Sequence, residues 1–170
     1  FIIDEKYSQF IEVPEEMEVT YGDEDFYIEA ECNPEEFENP LIYISSDENV
    51  VEVDEEGKVT IRSAGSATIT VSRAGNESYN DTEATVNIIV NKKDITVSAD
   101  NKKILFGEDE PELTYTYEGI LTEGDGFTGN LIREEGDAAG EYDIIQGTLS
   151  LSDNYNLIYE KGIFTIAETC

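Results

Sequence analysis

The sequence predicts an all-β chain made of two small domains, each a β-sandwich or a barrel. Three observations carry this prediction: apolar and polar residues alternate in short runs, turn residues separate those runs, and no helical stripe of apolar residues appears. The runs are rich in Thr, Val, Ile and Tyr, which favour a half-buried pleated surface. A length of 170 residues suits one large or two small domains.

Five runs show the alternation most clearly. In residues 66–72, Ala67, Ile69 and Val71 are expected to face the core, while the hydroxyl residues between them face solvent. The other runs are residues 58–62, 82–90, 95–99 and 162–166. Turn residues separate the strands, at positions 21–23, 39–40, 56–57, 64–65, 75–76, 124–126 and 153–154. Short strands with turns at this spacing are typical of an all-β sandwich or barrel.

The domain boundary is predicted at residues 91–94, which gives domains 1–91 (core from about residue 12) and 92–170. An apolar run ends there, two of the few lysines follow, and a new alternating strand begins at Ile95. Sequence elements that are repeated in the two halves support the division. Each half has an aromatic-Gly-acidic element after a short strand, at residues 21–23 and 106–108, and a Tyr-Asn pair before its closing strand, at residues 79–80 and 155–156. We therefore expect Gly22 and Gly107 in equivalent turns that use positive φ.

The composition excludes several classes of function. Forty acidic residues against ten Lys and Arg give a formal net charge of −30, which argues against binding to nucleic acid or to an anionic bilayer. The absence of histidine excludes His-based catalytic triads and the common catalytic zinc sites. The 39% of hydrophobic residues supplies the core that disordered acidic chains lack, and no stretch has the length of a membrane-spanning helix. The chain starts at Phe1 without a leader pattern, and we expect it to be a piece of a longer protein.

Calcium is the main metal hypothesis. Hard oxygen ligands gather in the acidic turns at residues 23–25, 54–56 and 108–110, and the candidate ligands are Asp23, Asp25, Glu108 and Glu110. No EF-hand loop is present, and acidic turns are usually solvated, so the expected cofactor is none, with calcium as the alternative. Cys32 and Cys170 are expected to be free thiols rather than a disulfide framework.

Aromatic residues are the candidate ligand contacts. Tyr115 and Tyr117 alternate on one strand face, where exposed rings could stack on sugars. The alternative is that they lie at the rim of the core. Catalysis is not predicted: carboxylate pairs arise by chance among 40 acids, and no nucleophile elbow, phosphate-binding loop or dinucleotide motif is present.

Both halves resemble modules of bacterial surface proteins. The first half resembles a bacterial immunoglobulin-like domain of group 2, on residues 45–53, 56–61, 64–71 and 74–80. The second half resembles the MBG domain of large adhesins, on residues 95–103, 106–107, 111–115, 133–137, 140–144, 147–149 and 154–156. The resemblance implies two tandem immunoglobulin-like β-sandwich domains with no catalytic residues to carry over.

The resemblance also sets the functional expectation. It implies a non-catalytic, extracellular module at the bacterial surface or in a secreted protein, acting as a stalk, a spacer or an adhesive segment. The alternative is a module that binds a glycan or a host protein and could be appended to a secreted enzyme. Expected partners are therefore a host protein, a glycan or neighbouring repeats of the same chain, and the fragment is expected to be a monomer that does not insert into a membrane.

Overall fold

Strands and turns make up the part of the chain that a computed structural model describes, which is residues 5–35 and 39–168. Those residues contain no helix. The strands are β1 Phe10–Glu12, β2 Glu16–Thr20, β3 Phe26–Tyr27, β4 Glu31–Asn33, β5 Ile42–Ser45, β6 Val51–Val53, β7 Lys58–Ile61, β8 Gly65–Arg73, β9 Thr82–Asn91, β10 Lys93–Ala99, β11 Lys102–Leu105, β12 Tyr115–Glu118, β13 Ile132–Arg133, β14 Gly140–Ile145, β15 Tyr155–Glu160 and β16 Gly162–Ala167. The predicted all-β class is confirmed, and each of the five alternating runs falls within or overlaps one strand.

The chain divides into two compact units, the first ending at Lys92 and the second beginning at Lys93. In unit 1 the strand order is β2-β9-β8-β5 in one sheet and β3-β7-β6 in the other, with β1 paired to β4. In unit 2 the orders are β11-β16-β14-β13 and β12-β10-β15. Both units are thus all-β folds with two main sheets, to which unit 1 adds the β1–β4 pair.

The core of unit 1 comes from alternate residues of its two sheets. Ile69 and Val71 of β8 are fully buried, as predicted, and so are Val51 and Val59 of the smaller sheet. Ala67 is also buried, which confirms the predicted inward face of this run. The core extends further toward the N-terminus than the sequence pattern does, because Gln9 is buried as well.

The core of unit 2 is organised around β16. Phe164 is fully buried, and so are Ile95, Val97 and Ile144, which come from both sheets. Leu149, in the turn region before β15, is buried too. The alternation in β16 leaves Ile163 on the outer face, opposite Phe164.

A strand near the start of each unit pairs in parallel with a strand near its end. In unit 1, β2 pairs with β9 from Glu16↔Asn87 to Thr20↔Asn91. In unit 2, β10 pairs with β15, and β11 pairs with β16. A parallel pair aligns the start of one strand with the start of the other, so the chain enters each of these pairings at one end and leaves at the opposite end.

Candidate functional site

The aromatic-Gly-acidic elements form two equivalent turns. In unit 1 the Asp23 carboxylate accepts a hydrogen bond from the Thr20 N–H at 2.7 Å, and the Asp23 N–H donates to the Thr20 carbonyl at 3.0 Å. In unit 2, Glu108 makes the same two bonds with Leu105, at 2.7 and 3.0 Å. The glycines between them have φ of 84° at Gly22 and 89° at Gly107, a left-handed conformation that favours glycine. The predicted equivalence of the two turns, including positive φ, is confirmed.

The other two candidate calcium ligands, Asp25 and Glu110, form ion pairs with basic side chains. Asp25 Oδ2 lies 2.8 Å from Lys58 Nζ, and this hydrogen bond lowers the pKa of Asp25 and raises that of Lys58. Glu110 receives the Arg133 guanidinium on both oxygens, and this hydrogen bond lowers the pKa of the Glu110 carboxyl. In the third acidic turn, the Asp54 carboxylate accepts the backbone N–H groups of Glu56 and Lys58, each at 2.9 Å.

The four predicted calcium ligands therefore have partners within the protein. Asp23 and Glu108 close turns, while Asp25 and Glu110 each form an ion pair. In residues 5–35 and 39–168, no three His, Cys, Asp or Glu side chains gather in a group that could hold a metal ion. Calcium binding remains a prediction.

The two candidate tyrosines lie at the edge of the smaller sheet of unit 2. Tyr117 is paired with Val97, and Tyr115 with Ala99, across β12 and β10. Because Val97 is fully buried, the tyrosines are on the core-facing side of this edge strand. Their rings pack edge-on against Phe127, with centroids 5.3 and 5.1 Å away, and Tyr117 remains 47% exposed. The two rings thus share one face, as predicted, at the rim of the core; ligand binding by them remains a prediction.

Arg133 is a polar centre that the sequence pattern did not single out. Its side chain is 11% exposed, and its guanidinium carbon lies 5.1 Å from the ring centroid of Phe164 and 5.2 Å from that of Tyr142. Besides pairing with Glu110, it donates to two backbone carbonyls, of Glu134 at 2.6 Å and of Gly136 at 2.8 Å. A signal was available: Arg133 is the only arginine in residues 92–170, within the run Arg-Glu-Glu-Gly-Asp.

A second polar cluster ties the start of unit 1 to its last strands. Gln9 accepts a hydrogen bond from Arg73 Nε at 2.6 Å and donates to the Asn80 carbonyl at 2.6 Å. Gln9 and Arg73 are both buried, and Arg73 also donates to the Pro34 carbonyl at 3.1 Å. The cluster borders a polar cavity of about 610 Å³ whose lining includes Cys32. Cys32 is a free, half-buried thiol, and Cys170 lies outside the described residues.

Within the described ranges, the structure has no helix with the length and apolarity needed to cross a membrane. The arrangement of turns, ion pairs and ring contacts is one in which each candidate group stabilises the fold locally. Comparison with known families identifies the folds more closely.

The family model described as "MBG domain (YGX type)" matches residues 95–165, and the model described as "Intimin, immunoglobulin-like domain" matches residues 37–75. The family models thus find an immunoglobulin-like domain within unit 1 and an MBG domain within unit 2. Both resemblances noted in the sequence are thereby confirmed, with the first-half match being to the intimin kind. Domains of these families occur in bacterial surface adhesins and are generally non-catalytic, which supports a non-catalytic surface module.

Solved structures similar to the chain include human protocadherin-24 EC1-2, with 12% identity over 94% of this chain and 99% of that chain, at a TM-score of 0.41. Drosophila N-cadherin EC1-4 has 11% identity over 97% of this chain and 50% of that chain, at a TM-score of 0.38. No curated protein matches the chain significantly.

Proposed function

We propose that the chain is a spacer segment of an exported bacterial surface protein, and that it holds other parts of that protein away from their point of attachment. The observation that carries the proposal is the parallel pairing of the first and last segments of each unit, β2 with β9 in unit 1 and β10–β11 with β15–β16 in unit 2. In the MBG domain the chain enters beside Tyr155, at Lys93, and leaves beside Leu105, at Ala167. The two ends of residues 155–167 are separated by twelve residue steps, or up to about 40 Å at about 3.3 Å per residue.

The charge supports the same proposal. Residues 1–91 hold 23 acidic and 4 basic residues, for a net charge of −19, and residues 92–170 hold 17 and 6, for −11. Like charges on successive modules repel each other and disfavour self-association at a crowded cell surface. The placement of Tyr115 and Tyr117 at the core rim also favours a spacer over a sugar-stacking surface, which requires exposed ring faces.

Surface display tests the proposal. The chain is fused at its C-terminus to an unrelated outer-membrane anchor and carries an epitope tag at its N-terminus. We expect a bulky tag-specific antibody to bind best with the full chain, less well with residues 93–170 alone, and least with the tag placed directly on the anchor. Equal antibody binding to cells that display each of the three fusions would contradict the spacer proposal.

A binding screen separates the spacer from the adhesive alternative. The soluble chain is applied to arrays of glycans and of extracellular-matrix proteins, and a spacer predicts no saturable binding. Saturable binding that is lost on Tyr115→Ala and Tyr117→Ala, but kept on the control Tyr27→Ala, would favour a binding module. Tyr27 is a suitable control because it is an exposed aromatic residue of unit 1.

A further inference from the structure

We propose that each unit is built to carry tensile force along the chain, with its first and last strand segments acting as a clamp loaded in shear. The inference rests on the proposed spacer function and goes beyond it, because a spacer needs length but does not need mechanical resistance. The observation behind it is the register of the parallel strands, which is constant over residues 93–105 in unit 2 and over the five pairs of β2 and β9 in unit 1.

In the MBG domain the clamp consists of residues 93–105 and residues 155–167. Every paired residue in β10 and β15 is separated by 62 positions, from Lys93↔Tyr155 to Ser98↔Glu160. The same separation continues in the other sheet, from Lys102↔Phe164 to Leu105↔Ala167. The two terminal segments therefore run side by side from one sheet into the other without a change of register.

The crossing between the two sheets is itself closed by specific contacts. The Asn101 side-chain oxygen accepts the Ile163 N–H at 2.7 Å, again at a separation of 62. Gly162 lies so close to the Ala99 carbonyl that a Cβ atom there would be 2.8 Å from its oxygen, so the two segments approach more closely than any other residue would allow. The clamp is thus continuous through the bend.

Side chains add cross-links along the same pairing. Near the start of the β10–β15 pairing, Asn156 Nδ2 donates to Asp94 Oδ1 at 2.9 Å. Near its end, close to the crossing between the sheets, Ser98 Oγ donates to Glu160 Oε2 at 2.6 Å. Both contacts join residues that are also paired through their backbones. They couple the two terminal segments to each other rather than to the middle of the domain.

Unit 1 has a shorter version of the same clamp. Its parallel pairing covers Glu16↔Asn87 to Thr20↔Asn91, and an isolated bridge joins Tyr7 to Tyr79. Between these two parts, β1 leaves to pair with β4, and the Gln9 side chain alone reaches the Asn80 carbonyl. Because its pairing is interrupted, we expect unit 1 to unfold before the MBG domain when both are pulled in series.

The direction of the force decides how such a pairing fails. The first segment is pulled toward its own start and the last segment toward its own end, and in a parallel pair these pulls slide the two segments past each other. The hydrogen bonds between them then share the load and must break together, whereas bonds in a peeling geometry break one after another. Resistance to pulling is governed by the rate of unfolding, so the shear geometry lengthens lifetime under force.

The test compares two pulling directions on one fold. Cys32→Ser and Cys170→Ser remove the natural thiols from the full chain, and paired handles are attached to new cysteines at exposed positions. Lys92→Cys with Glu168→Cys loads the clamp in shear. Lys92→Cys with Asp153→Cys pulls on adjacent strand starts and peels Lys93 from Tyr155. The 76 and 61 residue steps between the handles correspond to about 270 Å and about 220 Å of fully extended chain, so the released length identifies each unfolding event.

At one constant force in optical tweezers, we expect the shear-loaded lifetime to exceed the peeled lifetime by about tenfold or more, because several bonds must break at once. Asn101→Ala should shorten the shear-loaded lifetime about fivefold, the effect of one typical hydrogen bond, and leave the peeled lifetime unchanged, because peeling starts at the other end of the clamp. The control Asn130→Ala, an exposed position outside the clamp, should change neither lifetime.

If every variant is folded and the lifetimes in the two pulling directions are equal, the proposal is overturned. An equal effect of Asn101→Ala and Asn130→Ala on the shear-loaded lifetime would also overturn the role of the sheet crossing. The display experiment is independent of both results. If the full chain raises antibody access while the two lifetimes are equal, the spacer stands and only the clamp is rejected.

Discussion

Replacing Arg133 by alanine should destabilise the MBG domain far more than removing any exposed ion pair. The guanidinium is mostly buried, lies over the ring of the fully buried Phe164, and donates to the carbonyls of Glu134 and Gly136. Arg133→Ala removes these contacts together and leaves two carbonyl groups without that donor. It also uncovers one face of the Phe164 ring.

The magnitude follows from those contacts. Each lost hydrogen bond to a carbonyl costs about 1 kcal/mol, and loss of the cation–π contact costs about 0.5–1 kcal/mol. The ion pair with Glu110 adds little, because Glu110 is about half exposed and water screens it. The free energy of unfolding should therefore fall by about 3 kcal/mol, which corresponds to roughly 12–24 °C in the Tm of a domain of this size.

Differential scanning calorimetry of the full chain measures the effect, since the two units are expected to melt as separate transitions. Arg62→Ala is the matched control, because Arg62 pairs with Glu52 on the open surface of unit 1. It should leave both transitions in place. Arg133→Lys should destabilise by an intermediate amount, because lysine keeps the charge but lacks the planar fork. If Arg133→Ala shifts the calorimetric trace no more than Arg62→Ala does, the reasoning about this centre is wrong.

Four further predictions follow from the same contacts. Arg133 lowers the pKa of Glu110 in the folded state, so the ionised Glu110 stabilises the fold above the unfolded pKa near 4.5 and this stabilisation is lost as the pH falls through the folded pKa. The difference in unfolding free energy between the wild type and Glu110→Gln should therefore shrink below pH 4.5. A difference that stays constant with pH in urea titrations would contradict this. Gly107→Ala should cost about 1–2 kcal/mol through its positive φ alone, since nothing lies within 4 Å of the new Cβ, whereas Gly126→Ala, equally open, should cost almost nothing by the same urea titration. Raising NaCl from about 10 mM to about 0.15 M should raise both Tm values by screening self-repulsion, and a saturable further rise with Ca²⁺ but not with Mg²⁺ would point to Asp23, Asp25, Glu108 and Glu110 as ligands. Residues 5–92 and 93–168, expressed separately, should each melt cooperatively by circular dichroism, and failure of both would refute independent domains.

The strands of the core could be predicted from sequence because their burial follows the period of two. In β8, and in β9 except at Ile89, the apolar positions alternate with hydroxyl or polar residues, so the inward face can be assigned residue by residue. The start of unit 1 could not be assigned in this way. Beside Ile11, the buried residue there is Gln9, whose polar side chain forms hydrogen bonds with Arg73 and Asn80. A polar residue carries no signal of burial in an alternation pattern.

The roles of the acidic residues could not be predicted either. Asp23 and Asp25 lie two positions apart in the same acidic run, yet one closes a turn through a backbone N–H and the other pairs with Lys58. The difference depends on which strand lies beside the run, and that is a property of the fold. Composition therefore gives the total negative charge correctly but does not predict which carboxylates form hydrogen bonds or ion pairs within the protein.

The two sequence elements that occur in both units, the Tyr-Asn pair and the aromatic-Gly-acidic turn, lie at the two ends of the pairing between the terminal segments. Neither element alone predicts this pairing. The Tyr-Asn pair stands where the last segment begins to pair with the first, at Tyr79 beside Tyr7 and at Tyr155 beside Lys93. The aromatic-Gly-acidic turn stands where that pairing ends: the N–H of Tyr21 donates to the Asn91 carbonyl at 2.9 Å, and that of Phe106 to Ala167 at 2.8 Å. In each unit, the turn then reverses the first segment away from its partner, through a glycine with positive φ. Because the same two elements bound the pairing in two units of such different sequence, the spacing between them sets the length over which the terminal segments can share a load.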